Sequence, residues 1–438
     1  MDKKTANNQR LITGFKGILT SIPNGKSYYK SIPRKTKDLP RLSDEEVEAI
    51  YLNENGESSN INYYNYKKED IDFRIEGLNP LPVSTPSLED IDDLEIFGID
   101  GSNQRIDNPS FSLILIRATI VNFRYTSNLI KPYFYTIDKN CAAVTQVDGN
   151  IFNRSLKSHV NDVLYSKTKN QDKNKKVSIL EPLKNQDNGR PYLLGYNHKA
   201  GEKSPSAHAL GWAVKFMNAL ELLCLTEVPL KKKFVCIKDG PLFSASSTKK
   251  DTAVGLKPLD KWENGVLVAV SKRIADSRLF IDLFSQFPDL VEAYFPKQNV
   301  DVETIKSLGT DSLILPRILN PGFRTPLIKA IPYNRIGYVK DDKGKESYNF
   351  PLVCYYMRKA EPHNIIRIEV PIGAYKKDKE RVEHALRIVA WQFEIGIKAP
   401  LVQLAADERC QLSHEIDLLK MQVQNELSYK GLSLMQYY

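Results

Sequence analysis

Four acids in this chain stand in apolar surroundings. Asp100 ends the run Ile96-Phe-Gly-Ile99. Glu221 lies inside Met217-Asn-Ala-Leu-Glu-Leu-Leu-Cys-Leu225. Asp239 ends Phe234-Val-Cys-Ile-Lys238, and Asp407 follows Leu401-Val-Gln-Leu-Ala-Ala406. An ionised carboxylate in an apolar setting is costly unless it is paired or binds a metal. Taken singly, each has an ordinary explanation. Asp-Gly at a strand end makes a turn, a helical Glu meets an arginine, and Asp407 could face solvent. Taken together, four such acids would repel one another strongly without cations. Two divalent ions about 3.5–4 Å apart would neutralise them and could drive in-line phosphoryl displacement. All-oxygen ligands favour Mg²⁺ or Mn²⁺ over zinc.

The elements that must position these acids follow from pattern. Leu94–Ile99 reads as a short strand closed by an Asp100-Gly101-Ser102 turn. Phe111–Arg124 is β-branched and aromatic, and Lys131–Ile137 gives a third strand of a meander. Ser206–Thr226 has helical length, with Pro229 just beyond it. Phe234–Ile237 and Gly265–Val270 read as buried strands, and Leu352–Met357 and Ile365–Val370 as a late pair. Helices are expected over Lys379–Ile395 and Leu401–Leu427, parted by Gly396 and Pro400. Three strands, a long helix and then a strand joining in parallel are the layout of a ribonuclease H-like domain. The expected class is therefore α/β, a mixed sheet flanked by helices.

The whole chain has 438 residues, 62 Lys+Arg against 53 Asp+Glu, 42% hydrophobic and 26% charged residues. That composition excludes a disordered or fibrous chain. The length calls for one large domain with extensions, or two. No run of about 18 apolar residues is present, so no membrane span is expected, and the polar start carries no signal-peptide core. Five scattered cysteines (Cys141, Cys224, Cys236, Cys354, Cys410) read as reduced core thiols of a cytoplasmic protein. Charge is uneven: residues 1–41 hold ten Lys/Arg and two acids, whereas residues 42–100 hold sixteen acids and three bases. The expected division is a basic-then-acidic extension over 1–90 and a main domain over 91–430. A basic, polar tract near 150–205, with Lys173, Lys175 and Lys176, reads as a flexible insertion or a phosphate-contacting arm.

On these pieces the chain resembles the NurA nuclease family, the partner of the HerA translocase. The matching pieces are Phe97-Gly-Ile-Asp-Gly-Ser102, the Glu221 helix, Cys236-Ile-Lys-Asp-Gly-Pro-Leu242, Gly265–Lys272, Arg367-Ile-Glu-Val-Pro371 and Pro400–Asp407. Glu221 falls 18 residues before Asp239. The resemblance implies a ribonuclease H-like core that cuts DNA with two Mn²⁺ or Mg²⁺ ions. By position, Asp100 and Asp239 would be central ligands, Glu221 the helix ligand and Asp407 the last. It further implies a homodimer docked on a HerA-like hexameric ATPase, in end processing or defence against phage. Within this resemblance Lys272 is placed to contact the scissile phosphate, since an ammonium at a strand end can reach a developing oxyanion. A surface lysine is the plain alternative, and Ser102 serves either the turn or the substrate. Arg367 and Glu369 are expected to pair with each other.

Other signals are set aside. Asn24-Gly-Lys-Ser27 lacks the glycine and strand of a phosphate loop, and His414-Glu415 lacks a second histidine. Two further functions fit the same fold: a catalytically inactive adaptor of the translocase, and a resolvase or transposase. The intact acids speak against the first. The lack of a site-specific DNA-binding module speaks against the second.

Overall fold

A computed structural model describes most of residues 66–425; residues 1–65, 147–191, 426–438 and several short pieces lie outside the described residues. Two short strands come first, β1 (Ile71–Asp72) and β2 (Leu81–Pro82). A single helical turn follows, α1 (Leu88–Ile91). Its cap is reciprocal: Ser87 Oγ accepts from the Asp90 amide, and the Asp90 carboxylate accepts from the Ser87 amide.

Then come three long strands, β3 (Glu95–Asn108), β4 (Phe111–Thr126) and β5 (Leu129–Gln146), paired as an antiparallel meander. Strand β6 (Tyr192–Asn197) runs parallel to β5. Of the expected insertion, this piece is therefore sheet. Helix α2 (Pro205–Cys224) leads to β7 (Phe234–Asp239), which joins β3 in parallel, and β8 (Gly265–Ser271) joins β7 in parallel. Meander, helix and parallel strand follow in the order the sequence predicts.

Four short helices follow: α3 (Leu279–Gln286), α4 (Asp289–Tyr294), α5 (Val302–Leu308) and α6 (Asp311–Ile318). Strands β9 (Phe323–Arg324), β10 (Ile328–Ala330), β11 (Pro351–Met357) and β12 (Ile365–Pro371) come next. The closing helices are α7 (Ile372–Lys377), α8 (Lys379–Gly396) and α9 (Leu401–Cys410). Among the described residues one mixed sheet holds all twelve strands, its main path running β1-β10-β11-β12-β8-β7-β3-β4-β5-β6.

The central strands are apolar on both sides because helices cover both faces. Alternation along the strands sorts the side chains. One face carries Phe97, Ile99, Lys238, Ala269, Glu369 and Tyr355, and α2 and α3–α6 pack there. The Tyr355 and Phe280 rings meet edge-on at 5.7 Å. The other face carries Gly98, Asp100, Asp239, Val270 and Tyr356, and α8 and α9 pack there. Tyr356 meets Phe393 of α8 at 6.2 Å.

Two sequence expectations need correction. No turn follows Asp100: β3 continues through Asp100-Gly101 to Asn108, held by fourteen registered pairs with β4. The described pairing with β7 stops at Ile99 and Lys238, so Asp100 projects where its parallel neighbour ends. The helix expected over Leu401–Leu427 is broken at Gln411-Leu412: its first segment ends at Cys410, and helical residues resume at Ser413. Gln411 turns extended (φ −57°, ψ 137°), its carbonyl accepts from Arg117, and Leu412 swings into the core.

Candidate active site

Asp100, Asp239 and Asp407 come together around one ammonium. Lys272 Nζ lies 3.1 Å from Asp100 Oδ2, 3.2 Å from Asp239 Oδ1 and 3.8 Å from Asp407 Oδ2. Lys272 directly follows the last residue of β8, and Asp239 is the last residue of β7. Gly240 takes φ +72°, which turns the chain sharply away after Asp239. The side chains form a gradient of exposure, 5% for Asp100, 31% for Asp239 and 47% for Asp407. Asp100 is thus the floor of the cluster and Asp407 its rim.

The electrostatics follow from that placement. Burial, and then the charge of Asp239, push the Asp100 carboxyl up to about 8, against the pull of Lys272. Burial works to lower the Lys272 ammonium, but Asp100, Asp239 and Asp407 outweigh it and hold the charge above its usual range. The Asp100 Oδ1 atom accepts from the Gly101 amide at 2.7 Å, leaving Oδ2 to the cluster.

Glu221 arrives from the other face of the sheet. It comes from α2 and packs where a Gly101 Cβ would stand, with its Oε1 only 2.6 Å from that position. Its partner is Lys238, at 2.8 Å, and both side chains are sealed from solvent. Burial raises the Glu221 carboxyl in spite of Lys238. The same Lys238 Nζ donates to the Asp239 carbonyl at 2.6 Å. Three of the four acids therefore meet at Lys272, and the fourth stands across the strand, joined to Asp239 through Lys238.

Helix α9 is fixed to the sheet at several points. The Val402 carbonyl occupies the space a Cβ on Gly98 would need, so only glycine lets the helix approach this closely. Gln392 of α8 accepts from the Val402 amide at 3.1 Å. Gln403 donates to Asp239 Oδ1 and to the Val270 carbonyl, the latter at 3.2 Å. Arg409 reaches Asp138 at 2.8 Å, and Asp138 also accepts from Thr119 at 3.0 Å. Asp100, Thr119 and Asp138 form one rung across β3, β4 and β5.

The donor chemistry suits a divalent cation. One ligand atom each from Asp100, Asp407 and Cys410 lie within 4.8 Å of one another. The buried Cys410 Sγ donates to the Asp407 carbonyl at 3.2 Å, so it shares the last turn of α9 with that acid. Three carboxyl groups thus share a single ammonium, with Asp100 the one held protonated by burial while no cation joins them.

Ser102 lies within β3, opposite Arg117, not in a turn. Arg367 and Glu369 pair at 2.8 Å, and Glu369 also accepts from the Leu242 amide at 3.0 Å. Cys224, Cys236, Cys354 and Cys410 are buried, and none of them forms a disulfide among the described residues. The basic N-terminal tract, the rest of the 150–205 insertion and His414-Glu415 lie outside the described residues. Lys238, Gln403 and Gly98 were not predicted as site residues. Lys238 had a legible signal, a lysine beside an acid at the end of an otherwise apolar strand. Gln403 had none.

No protein-family model matches this chain, and no curated protein matches it. Among solved structures it is similar to the crystal structure of the NurA nuclease from Sulfolobus solfataricus. That pair is 12% identical over 91% of this chain and 100% of the other, with a TM-score of 0.40. A second crystal structure of NurA is 10% identical over 82% of this chain and 65% of its own, with a TM-score of 0.16.

Proposed function

We propose that this chain is a metal-dependent DNA nuclease with a ribonuclease H-like core. The observation that carries the reading is the gathering of Asp100, Asp239 and Asp407 around Lys272 where β7 and β8 end. The sheet order β5-β4-β3-β7-β8, with α2 between β5 and β7, supports the choice of fold.

In this reading Asp100, Asp239 and Asp407 would hold Mn²⁺ or Mg²⁺, and Glu221 would brace the site from the opposite face. The bound ions would supply the positive charge that in-line displacement at a phosphodiester requires. Asp100 on the floor is shielded from water, so its attraction for a cation is weakly screened. Asp407 at the rim can adjust as substrate enters. Lys272 offers an ammonium to the phosphate oxygen that gains charge in the transition state. The partners belong to the same proposal: DNA as substrate, a second copy of the chain, and a HerA-like hexameric translocase that feeds the DNA. The setting would be the cytoplasm, in end processing or defence.

The test is cleavage of linear duplex DNA by the full chain with Mn²⁺, Mg²⁺ or EDTA, with and without the translocase. Asp100→Asn and Asp239→Asn are each expected to lower the rate by about 100-fold or more, the scale of losing one preorganised charge contact. Equal inertness of wild type and variants under every condition would overturn the reading in favour of a docking adaptor.

A further inference from the structure

We propose that Gln403 is a positioning residue that sets the orientation of the Asp239 carboxylate; this rests on the reading of Asp239 as a metal ligand. Gln403 is fully buried on α9. A buried amide at a helix–sheet interface is expensive unless its polar atoms are met. Its two N–H groups are met on two different elements: Asp239 Oδ1 at the end of β7 and the Val270 carbonyl of β8. Its Oε1 has no hydrogen-bond partner.

That asymmetry fixes which way the amide points. With the amide reversed, Oε1 would face a carboxylate oxygen and a carbonyl, three acceptors with no proton among them. The donor end must therefore face Asp239. Lys272 contacts the same Oδ1 at 3.2 Å. The carboxylate consequently has one oxygen engaged by two donors, and Oδ2 is the atom offered to a cation. A neutral donor is the suitable group here. An amide adds no second cation beside the Lys272 ammonium already on that oxygen, and a glutamate there would repel Asp239.

A plainer role would be to hold α9 onto the sheet. Gln392 separates the two, because it tethers the same helix through the Val402 amide and does not touch Asp239. The experiment titrates Mn²⁺ into the full-length chain, following free Mn²⁺ by electron paramagnetic resonance, beside Mn²⁺-dependent cleavage and thermal melting. Wild type, Gln403→Leu and Gln392→Leu are compared. Gln403→Leu is expected to weaken Mn²⁺ binding about tenfold and to raise the Mn²⁺ needed for half-maximal cleavage equally. Gln392→Leu is expected to lower the melting temperature while keeping Mn²⁺ affinity within about twofold of wild type. Wild-type Mn²⁺ affinity in Gln403→Leu, or equal losses in both leucine variants, would overturn the positioning role and leave the nuclease reading standing. Failure of the wild-type chain to bind Mn²⁺ would overturn both.

Discussion

At the scale of single residues, the cluster trades stability for charge. Asp100 would ionise near pH 4 in an unfolded chain, but in the fold its carboxyl is held up to about 8. Its contribution to stability is therefore fully present below about pH 4 and is lost as pH rises through about 8. In metal-free buffer, melting temperature should fall over that window, and Asp100→Asn should flatten the curve and melt higher than wild type at pH 8. Calorimetry in EDTA at several pH values checks this, and parallel curves for the two proteins would contradict it. The same tension made the cluster legible in the sequence: Asp100, Asp239 and Glu221 are charges inside apolar runs, and such charges need a reason. Gln403 was illegible because an amide among Leu and Ala on a helix looks like any polar position.

At the scale of elements, the site depends on how closely α9 lies on β3. Gly98 is the contact that permits it, since the Val402 backbone stands where a side chain would begin. Gly98→Ala should force the helix outward. The expected cost is about 1–3 kcal/mol, the usual range for overpacking, with loss of cleavage although every acid is present. Urea denaturation and the cleavage assay check it together. Sequence reasoning placed a turn at Asp100-Gly101 because Asp-Gly signals turns and tight packing alike. Here the glycine makes room for Glu221 and Met217 instead. It also left α3–α6 unresolved, since helices of six to eight residues offer too few periods to read. What fixes them is non-local. Asp311 is fully buried and accepts from Ser277 Oγ, Tyr355 OH and the Phe280 and Ile281 amides at the start of α3.

At the scale of the whole molecule, a second buried charge cluster ties distant segments together. Arg324 of β9 pairs with Glu76 at 2.6 Å and with Glu383 of α8 at 2.8 Å. Glu76 also accepts from the Leu327 amide at 2.7 Å. Removing the arginine would strand two acids, one of them sealed from solvent. Arg324→Met is expected to cost about 3–5 kcal/mol, the range for breaking a buried pair. Chemical denaturation reads that loss, and a shift below about 1 kcal/mol would mean the cluster contributes only at the surface level. No helix among the described residues is long and apolar enough to cross a membrane.

The placement of Asp407 on α9 has a consequence for how the protein is made. A chain growing on the ribosome lays down Asp100, Glu221 and Asp239 long before it reaches residue 407. Until α9 has been synthesised and has docked against Gly98, Asp239 lacks Gln403 and the cluster is one carboxylate short. On the proposed function, a nascent chain is thus harmless to the host chromosome, and cutting ability arrives only with the late segment that closes the fold.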